Sequence, residues 1–376
     1  MKKLLLPFLF CVFALAGRAQ EFQTISDGVE YAQFTRQIKT SGGEDAQTTV
    51  NALRLDLSKV RLDAVHAFDT AIGVETTSSL AEKHGALAAI NGGFFRLDNT
   101  IFAGAPAGAL MIDNAPYSEP FPGRTALFIN NRQTVTELNI NPLTLGYSVY
   151  LRKNSLPVAG INRERKDNEL IVYTRIFHRT TLTGSDGVEI IVSGKNRVLK
   201  IVKGKGNNLI PTNGYVISAS GATAERLRRA ARRGIFVAAG TKYPDALTRK
   251  LFLNAEDIVG GVPQLVKNGR VEIDWEAEKT TRSFVETRHP RTAVAKLKDG
   301  RALLVTVDGR SETSGGMSLP ELAQMLIEMN ASDALNLDGG GSTTMFLNGK
   351  IVNRPSDKTG ERPVSDAILV FPRKAQ

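Results

Sequence analysis

The N-terminal part of the chain alternates apolar and polar residues. From Phe22 to about Val65, short stretches such as TVNALRLDLSKVRLDAV (49–65) follow a period of two. A β-strand turns successive side chains to opposite faces, so this period predicts strands with one buried face. The pattern indicates a β-rich entry region.

Two later segments change from a helical period to a continuous apolar run. In SSLAEKHGALAAINGGFF (78–95), Ser79 and Glu82 predict a capping box, a helix to about His84 and a buried strand over 86–90. In GMSLPELAQMLIEMNASDALNLDGGG (316–341), Ser318 and Glu321 predict a second capping box, and a strand over 334–338 follows. An apolar stripe predicts the buried face of this second helix: Leu322, Met325, Leu326 and Met329.

Paired Asn-Gly residues predict tight hairpins. Asn268-Gly269 and Asn348-Gly349 each follow a Gly-Gly pair by eight residues and are flanked by strand-like residues. The segment from Gly108 resembles a third, degenerate copy. A true internal repeat and the independent occurrence of common Asn-Gly turns both explain this similarity.

These elements predict an α+β fold, with a mixed β-sheet core, flanking helices, several β-hairpins and a β-rich N-terminal region. We divide the chain into a signal peptide (1–20), the N-terminal region (21–84) and a main domain (85–376). Within the main domain, residues 140–250 carry no chemical motif and are interpreted as an insertion or covering layer.

The first twenty residues, MKKLLLPFLFCVFALAGRAQ, have the pattern of an export signal. Lys2 and Lys3 precede an apolar stretch of about 13 residues, and small residues precede an expected cut at Gln20. The stretch is too short to span a bilayer, which takes about 20 residues. We expect an exported protein, periplasmic or extracellular, without a membrane span; a buried N-terminal helix is the alternative.

Composition excludes several classes of site. The single cysteine, Cys11, lies in the expected leader, which argues against disulfides and thiolate chemistry, and the four histidines lack zinc-motif spacing. Net charge is +10, or +7 without the leader, which favours anionic partners. The most basic stretch, ERLRRAARRG (225–234), predicts a helix stopped by Gly234. Its arginines form either a solvated face or a docking surface for an anionic envelope polymer; nucleic acid is disfavoured because no aromatic residues interleave.

The sequence NLDGGGSTTMF (336–346) places Asp338 before three glycines and three hydroxyl residues. Glycines allow close approach to main-chain amides, so the run predicts an anion-binding concavity with a carboxylate at its edge. A phosphate-binding loop would need a lysine and a following helix, and neither is present. A purely structural tight turn is the alternative. The expected substrate-binding residues are Gly339, Gly340, Gly341, Ser342 and Thr343, with Thr344 adding a hydroxyl.

Three apolar strands end in a polar residue followed by glycine. These ends are Asn91-Gly92-Gly93, Asp308-Gly309-Arg310 and Asp338-Gly339-Gly340. If the strands lie side by side, Asn91, Asp308 and Asp338 meet at one sheet edge, where ligands commonly bind. Two carboxylates suit glycoside chemistry, although ordinary Asp-Gly turns remain the alternative reading.

Cationic residues accompany these strand ends. In RHPRTA (288–293), His289 is an acid, a base, a neutral donor or simply a solvent-facing loop residue. Arg291 and Arg310 either clamp a phosphate or form surface salt bridges. In ERPVSDAI (361–368), Asp366 either supports another site residue or lies in an exposed turn.

Seven motifs together resemble one family. They are NGGFF (91–95), GGVP (260–263), HPRTA (289–293), DGR (308–310), SLPELA (318–323), LDGGGSTTM (337–345) and RPVSDAI (362–368), and they resemble the phosphodiester glycosidases. The resemblance implies hydrolysis of a sugar-1-phosphodiester on the glycosidic side, releasing the sugar and leaving the phosphate on the other alcohol. The positions that carry over are Asn91, His289, Arg291, Asp308, Arg310, Asp338 and the loop 339–341.

The chemistry of the residues agrees with this implication. A departing phosphomonoester needs little help from a general acid, so anion-stabilising donors matter most. We hypothesise that Asp338 acts at the anomeric carbon as nucleophile or base, while Asp308 and His289 orient the substrate and manage the proton. No cofactor is required, although Asp308 and Asp338 could hold Ca²⁺ or Mg²⁺. Two other functions stay open: a non-catalytic binder of phosphorylated envelope glycans, and a phosphoesterase that cuts the P–O bond.

Overall fold

The alternating N-terminal stretches fold into two long paired strands. The computed structural model of the protein describes residues 21–39 and 45–373. Strands Val29–Lys39 and Asp45–Leu55 pair antiparallel over their full length, and Val50 and Leu53 are completely buried. The expected export signal lies outside the described residues.

Strands dominate the described chain. In order they are Gln23–Ser26 (β1), Val29–Lys39 (β2), Asp45–Leu55 (β3), Val60–His66 (β4), Ala88–Asn91 (β5), Leu110–Ile112 (β6), Ala115–Ser118 (β7), Thr125–Asn131 (β8), Thr136–Pro142 (β9), Gly146–Leu151 (β10), Asn154–Val158 (β11), Gly160–Ile161 (β12) and Leu170–Thr174 (β13). They continue as Gly187–Ser193 (β14), Val198–Lys203 (β15), Gly214–Ser220 (β16), Val237–Lys242 (β17), Asp257–Gly260 (β18), Gln264–Lys267 (β19), Arg270–Val271 (β20), Arg291–Leu297 (β21), Ala302–Val307 (β22), Ala331–Asn336 (β23), Met345–Leu347 (β24), Lys350–Ile351 (β25) and Asp366–Pro372 (β26).

The α-helices of the described ranges are Thr77–His84 (α1), Gly221–Ala230 (α2), Ala246–Asn254 (α3), Arg282–Glu286 (α4) and Leu319–Glu328 (α5). The capping box expected at Ser79 is wrong, because α1 begins earlier and Thr76 caps it by accepting from the Ser79 amide. The basic helix ends at Ala230, before the expected stop at Gly234. The capping box at Ser318 is confirmed.

Removing the α5 cap should cost stability. The Ser318 side chain accepts from the Glu321 amide, and the Glu321 carboxylate accepts from the Ser318 amide at 2.9 Å. We expect Ser318→Ala to lower the free energy of unfolding by about 1 kcal/mol. Denaturant unfolding checks this, with Ser185→Ala, at an exposed loop position, as the control. Equal unfolding midpoints for the two variants would contradict the prediction.

The strands form several sheets. The largest within the described residues has the order β1-β2-β3-β22-β21-β23-β19-β20. A second sheet, β25-β24-β5-β26-β4, and a third, β7-β6-β18-β8-β9, share a large hydrophobic core with one face of the first. Helix α5 covers the other face, where Leu322, Met325 and Leu326 are fully buried. The β-rich, hairpin-containing architecture is therefore confirmed in its main features.

The strand pairing differs from the expected mixed sheet. Every pair in the three sheets above is antiparallel, and β12 with β13 form a parallel pair elsewhere. Hairpins explain the difference, since they join antiparallel neighbours directly. Asn268-Gly269 and Asn348-Gly349 both adopt positive φ at hairpin turns, as predicted, and Asp113-Asn114 form a third such turn.

Residues 140–250 contribute sheets of their own. Strands β11-β10-β17 form one sheet, and β12-β13-β16-β14-β15 form another, with α2 packed on β14 and β16. Val149, Ile190, Leu227 and Val237 share a separate hydrophobic cluster in this segment. Across the described part of the chain, the helices are too short or too polar to cross a bilayer.

Candidate functional site

The central sheet brings three predicted segments to one edge. Strands β22 and β23 both pair antiparallel with β21, so their C-terminal ends point the same way. Arg291, which begins β21, lies opposite Val307, the residue before Asp308. Leu337 donates to the Thr292 carbonyl, and Asp338 follows it. The predicted convergence of Asp308 and Asp338 on one edge is therefore what the structure contains.

Asn91 joins this edge from the second sheet. It ends β5 and is completely buried. Its Nδ2 donates to the Asp338 carbonyl at 2.7 Å, and its Oδ1 accepts from the Thr292 hydroxyl at 2.7 Å and the Thr344 amide at 3.2 Å. Asn91 thereby fixes the backbone on both sides of the glycine run.

The glycine run does not form the open concavity that the sequence predicts. The Gly339 amide donates to Asp338 Oδ1 at 2.9 Å, and the Gly340 amide donates to the Pro290 carbonyl at 2.9 Å. The Ser342 and Thr343 amides bond back to Gly339 and Gly340 in a short 3₁₀ turn. The amides of Gly339, Gly340, Ser342 and Thr343 therefore already have protein acceptors, so these four positions do not supply the bare amides that the sequence predicts.

Two hydroxyl groups that follow the glycines, unlike these amides, lack hydrogen-bond partners in the described chain. The side-chain oxygens of Thr343 and Thr344 are buried and have no hydrogen-bond partner in the described residues, whereas the Ser342 hydroxyl lies against the Asp338 carboxyl. A buried hydroxyl without a partner costs about 1–3 kcal/mol. The run therefore keeps unused hydrogen-bonding capacity in its side chains.

The surroundings of Asp338 change the pKa of its carboxyl. Burial raises the pKa of its carboxyl to about 6, although the Ser342 hydroxyl, the Gly339 amide and the charge of Arg362 act in the other direction. The nearby Asp366 carboxylate raises that pKa further. A carboxyl with such a pKa is largely ionised at neutral pH, as a nucleophile requires, and can also take up a proton, as a general base does.

The raised pKa predicts a pH-dependent stability. The folded-state pKa of Asp338 lies above that of an unfolded aspartate. The stabilising contribution of this carboxyl to the free energy of unfolding is therefore complete below about pH 4 and is lost as pH rises through about 6. We expect wild type to lose on the order of 2 kcal/mol relative to Asp338→Asn between pH 4 and pH 7.5. Urea unfolding of both proteins at each pH checks this. A constant difference across the range would contradict it.

Asp308 is oriented by residues that sequence analysis missed. Its Oδ1 accepts from Asn353 Nδ2 at 3.3 Å and from the Arg354 amide at 3.1 Å, and burial raises the pKa of its carboxyl. Asn353 Nδ2 also donates to the Thr343 carbonyl at 3.0 Å. Asn353 therefore connects Asp308 to the glycine run. No local pattern around VNR (352–354) indicates this role.

The cationic residues divide into a buried and an exposed one. Arg291 is only 2% exposed; its Nε donates to the Met317 carbonyl, and its Nη2 donates to the Phe284 and Thr287 carbonyls. Burial lowers the pKa of Arg291 to about 10. Arg310 is exposed, and its guanidinium lies against Gly340, 3.0 Å from where a Cβ would stand. Arg310 is thus the better placed of the two to meet a phosphate.

His289 lies beside Arg310. Its Nδ1 is 3.3 Å from Arg310 Nη2, and its main chain forms a bridge with Met317. Burial, followed by the charges of Arg291 and Arg310, lowers the pKa of His289. A neutral imidazole that accepts at Nδ1 carries its proton on Nε2.

Two further groups pack against the glycine run. Arg362 donates to both carboxylate oxygens of Asp357, at 2.7 and 3.0 Å, and this pair covers Gly341, where a Cβ would stand 2.2 Å from each side chain. Asp366 is fully buried and accepts from the Gly93 amide at 2.7 Å and from the Ser365 hydroxyl. The sequence predicts that Asp366 either supports another site residue or lies in an exposed turn. In the structure it is buried and supports the backbone of the site.

A metal ion is not indicated by clustering of ligands. Within 21–39 and 45–373, no three His, Cys, Asp or Glu side chains group in a way that could hold one. Ca²⁺ or Mg²⁺ at Asp308 and Asp338 stays a prediction, which activity measurements after chelation would check.

A separate cavity of about 660 Å³ lies between 96–122 and the start of the 140–250 segment. Its wall includes Arg96, Phe121, Tyr147 and Arg163. None of the predicted site residues lines it. Chemistry therefore favours the edge at Asp338, where the perturbed carboxyls and the exposed cation meet.

The chain is similar to several known proteins. The phosphodiester glycosidase family profile matches residues 186–371. A protein of Bos taurus, N-acetylglucosamine-1-phosphodiester alpha-N-acetylglucosaminidase, is 35% identical over 156 residues, which cover 36% of this chain and 29% of that relative. The match thus spans less than a third of the relative's length.

Two solved structures share the fold. A Synechocystis protein superposes with a TM-score of 0.78 at 24% identity, covering 95% of this chain and 64% of the other. A Burkholderia pseudomallei protein, described as an inferred exported protein, gives 0.75 at 25% identity, with 87% and 74% covered. The profile match includes every site segment described above except the end of β5 at Asn91. Residues 186–371 of this chain therefore resemble the phosphodiester glycosidase family.

Proposed function

We propose that this protein hydrolyses the glycosidic bond of a sugar-1-phosphodiester. Water supplies the oxygen that bonds to the anomeric carbon, the bond from that carbon to the phosphate oxygen breaks, and the phosphate keeps the electron pair. The products are a free sugar and a phosphomonoester. The observation that carries the proposal is Asp338, with its pKa raised to about 6, at the sheet edge that also presents Arg310.

Arg310 and the hydroxyl residues replace the amides as the proposed phosphate contacts. Arg310 supplies a planar cationic fork suited to phosphate oxygens. Thr343 and Thr344 supply hydroxyls that lack protein partners in the described chain. Interactions with the charge that develops on the departing phosphate accelerate the reaction, because they strengthen in the transition state.

Asp338 acts at the anomeric carbon, either directly or by activating water. His289 carries a proton on Nε2 and stands beside Arg310, so it is placed to manage a proton at the phosphate side. Asp308, fixed by Asn353 and the Arg354 amide, orients the substrate. The name of the bovine relative makes N-acetylglucosamine the first sugar to test.

Hydrolysis in ¹⁸O-labelled water tests the proposal. A sugar-1-phosphodiester of N-acetylglucosamine is incubated with the protein, and both products are examined by mass spectrometry. We expect label in the sugar. Label in the phosphate would identify a phosphoesterase instead, and saturable binding without product would identify a non-catalytic glycan binder.

Export is the second part of the proposal. The N-terminal pattern of two lysines and a short apolar stretch supports it, as does the description of the Burkholderia structure. Fractionation of cells that express the full chain, or a chain without residues 1–20, tests it. Recovery of both forms from the cytoplasm would contradict export.

A further inference from the structure

Positive charge is concentrated in one segment of the chain. Residues 140–250 contain 20 lysines and arginines but only 7 aspartates and glutamates, a net charge of +13. The whole chain carries +10, so the remaining residues carry −3. The sheet edge with Asp308, Arg310 and Asp338, called here the catalytic edge, lies outside this segment. Charge segregation of this kind points to a polyanionic partner for the segment itself.

Strand pairing brings several of these cations to one place. Strand β10 pairs with β17, which aligns Tyr150 with Ala238. The residues just before β17 lie beside the start of β15, because the main chain of Arg197 forms an antiparallel bridge with that of Phe236. A cavity of about 380 Å³ results, lined by Tyr150, Arg152, Arg197, Ile235, Phe236 and Ala238.

We call this surface the basic face and define it by the cavity together with Arg232 and Arg233, which directly precede the Gly234–Phe236 stretch. Arg152, Arg197, Arg232 and Arg233 are all exposed. It lies beside the C-terminal end of helix α2, since Arg232 donates to the Arg229 carbonyl at 3.1 Å.

The four arginines of the basic face are not neutralised. Within the described chain no carboxylate lies within 4.0 Å of any of them, whereas Arg228 and Arg229 of helix α2 both pair with Glu225. Holding like charges together without counter-charges is unfavourable for the free protein. Such an arrangement becomes favourable when an anionic ligand binds across it.

An exposed aromatic ring stands among these cations. Phe236 is 50% exposed, and the Arg197 guanidinium lies 5.8 Å from its ring centroid. Guanidinium groups bind phosphates through their planar fork, and an aromatic face packs against the apolar face of a sugar ring. A cation beside an exposed ring therefore matches a repeat unit in which a phosphate adjoins a sugar.

We propose that the basic face binds a polyanionic polymer of sugar-1-phosphate units. The identity of the polymer rests on the proposed function, whose scissile bond is the linkage of such a chain. Single-stranded nucleic acid shares the phosphates, but its binding proteins stack successive bases on several aromatic rings. The small aromatic surface here favours the sugar polymer.

The test compares two triple variants. The first is Arg152→Gln/Arg197→Gln/Arg233→Gln on the basic face. The second, Lys59→Gln/Lys83→Gln/Lys298→Gln, removes the same charge at exposed positions outside 140–250. Each protein is titrated with a poly(sugar-1-phosphate) and with single-stranded DNA at several salt concentrations, and is assayed on a small sugar-1-phosphodiester. Thermal unfolding confirms that each variant folds.

We expect the basic-face variant to bind the polymer about tenfold more weakly, and the slope of log affinity against log salt to flatten by about 2. The control variant should bind like wild type, and both should turn over the small substrate normally. Equal polymer binding by all three proteins, equal losses in both variants, or tighter binding of DNA than of the polymer would each overturn the proposal. If the basic-face variant binds the polymer more weakly, as expected, but none of the proteins turns over any substrate, the result would refute the proposed function alone.

Discussion

Replacing Asp338 with asparagine is expected to lower kcat/KM for a sugar-1-phosphodiester by about 10³-fold or more. Asparagine keeps the shape of the side chain and can still accept from the Gly339 amide, which the wild-type carboxylate does at 2.9 Å. It cannot attack carbon or take a proton from water. The loss should therefore appear in kcat rather than in binding.

Steady-state kinetics with wild type, Asp338→Asn and Asp333→Asn check this expectation. Asp333 lies on the same strand, β23, and pairs with Lys267 at 3.6 Å, away from the catalytic edge. The Asp333 variant should retain activity. Near-normal turnover by a folded Asp338→Asn protein would show that another group performs the chemistry.

The same carboxyl predicts the acid limb of the pH profile. With a pKa of about 6, Asp338 is mostly protonated below pH 5 and mostly ionised above pH 7. We therefore expect kcat/KM to rise with pH through about 6. Together with the stabilisation expected for Asp338→Asn near neutral pH, this describes a residue that increases activity at the expense of stability.

Adding a single methyl group at Gly92 should be as damaging as losing the carboxylate. A Cβ there would stand 2.1 Å from Asp366 Oδ1, and real contacts of this kind are never so short. Asp366 cannot move away freely, because it is fully buried and accepts from the Gly93 amide and the Ser365 hydroxyl. We expect Gly92→Ala to lower the free energy of unfolding by about 3 kcal/mol and to abolish turnover.

Denaturant unfolding and activity assays check the Gly92→Ala prediction. Gly146→Ala is the matched control, because a Cβ there meets Lys242 Cβ at an ordinary 3.5 Å. The control should remain within about 1 kcal/mol of wild type. A Gly92→Ala protein that unfolds like the control would show that the Asp366 pocket adapts.

Sequence alone could locate the strand ends but not the hydrogen bonds between them. Apolar runs that stop at Asp308 and Asp338 mark buried strands, and helix α5 between them carries the chain over β21 so that both ends reach one edge. The Gly340 amide finds its acceptor at Pro290 and the Thr344 amide at Asn91, and both acceptors are distant in sequence. A local pattern cannot show whether such partners exist.

Sequence analysis missed Asn353 and Asp357 for the same reason. Asn353 connects Asp308 to Thr343 only because the short hairpin after β24 returns the chain to the site. Asp357 pairs with Arg362 across a loop and covers Gly341. Neither residue lies in a periodic element, so neither was distinguishable from an ordinary loop residue.

The central sheet also constrains how the chain acquires its structure during synthesis. Ala52 of β3 pairs with Val305 of β22, so the early strand leaves the ribosome about 250 residues before its neighbour. Closing so long a loop is slow, and the catalytic edge cannot assemble until strand β23 and the residues after it have emerged. Enzymatic competence is thus a late event in the life of each molecule.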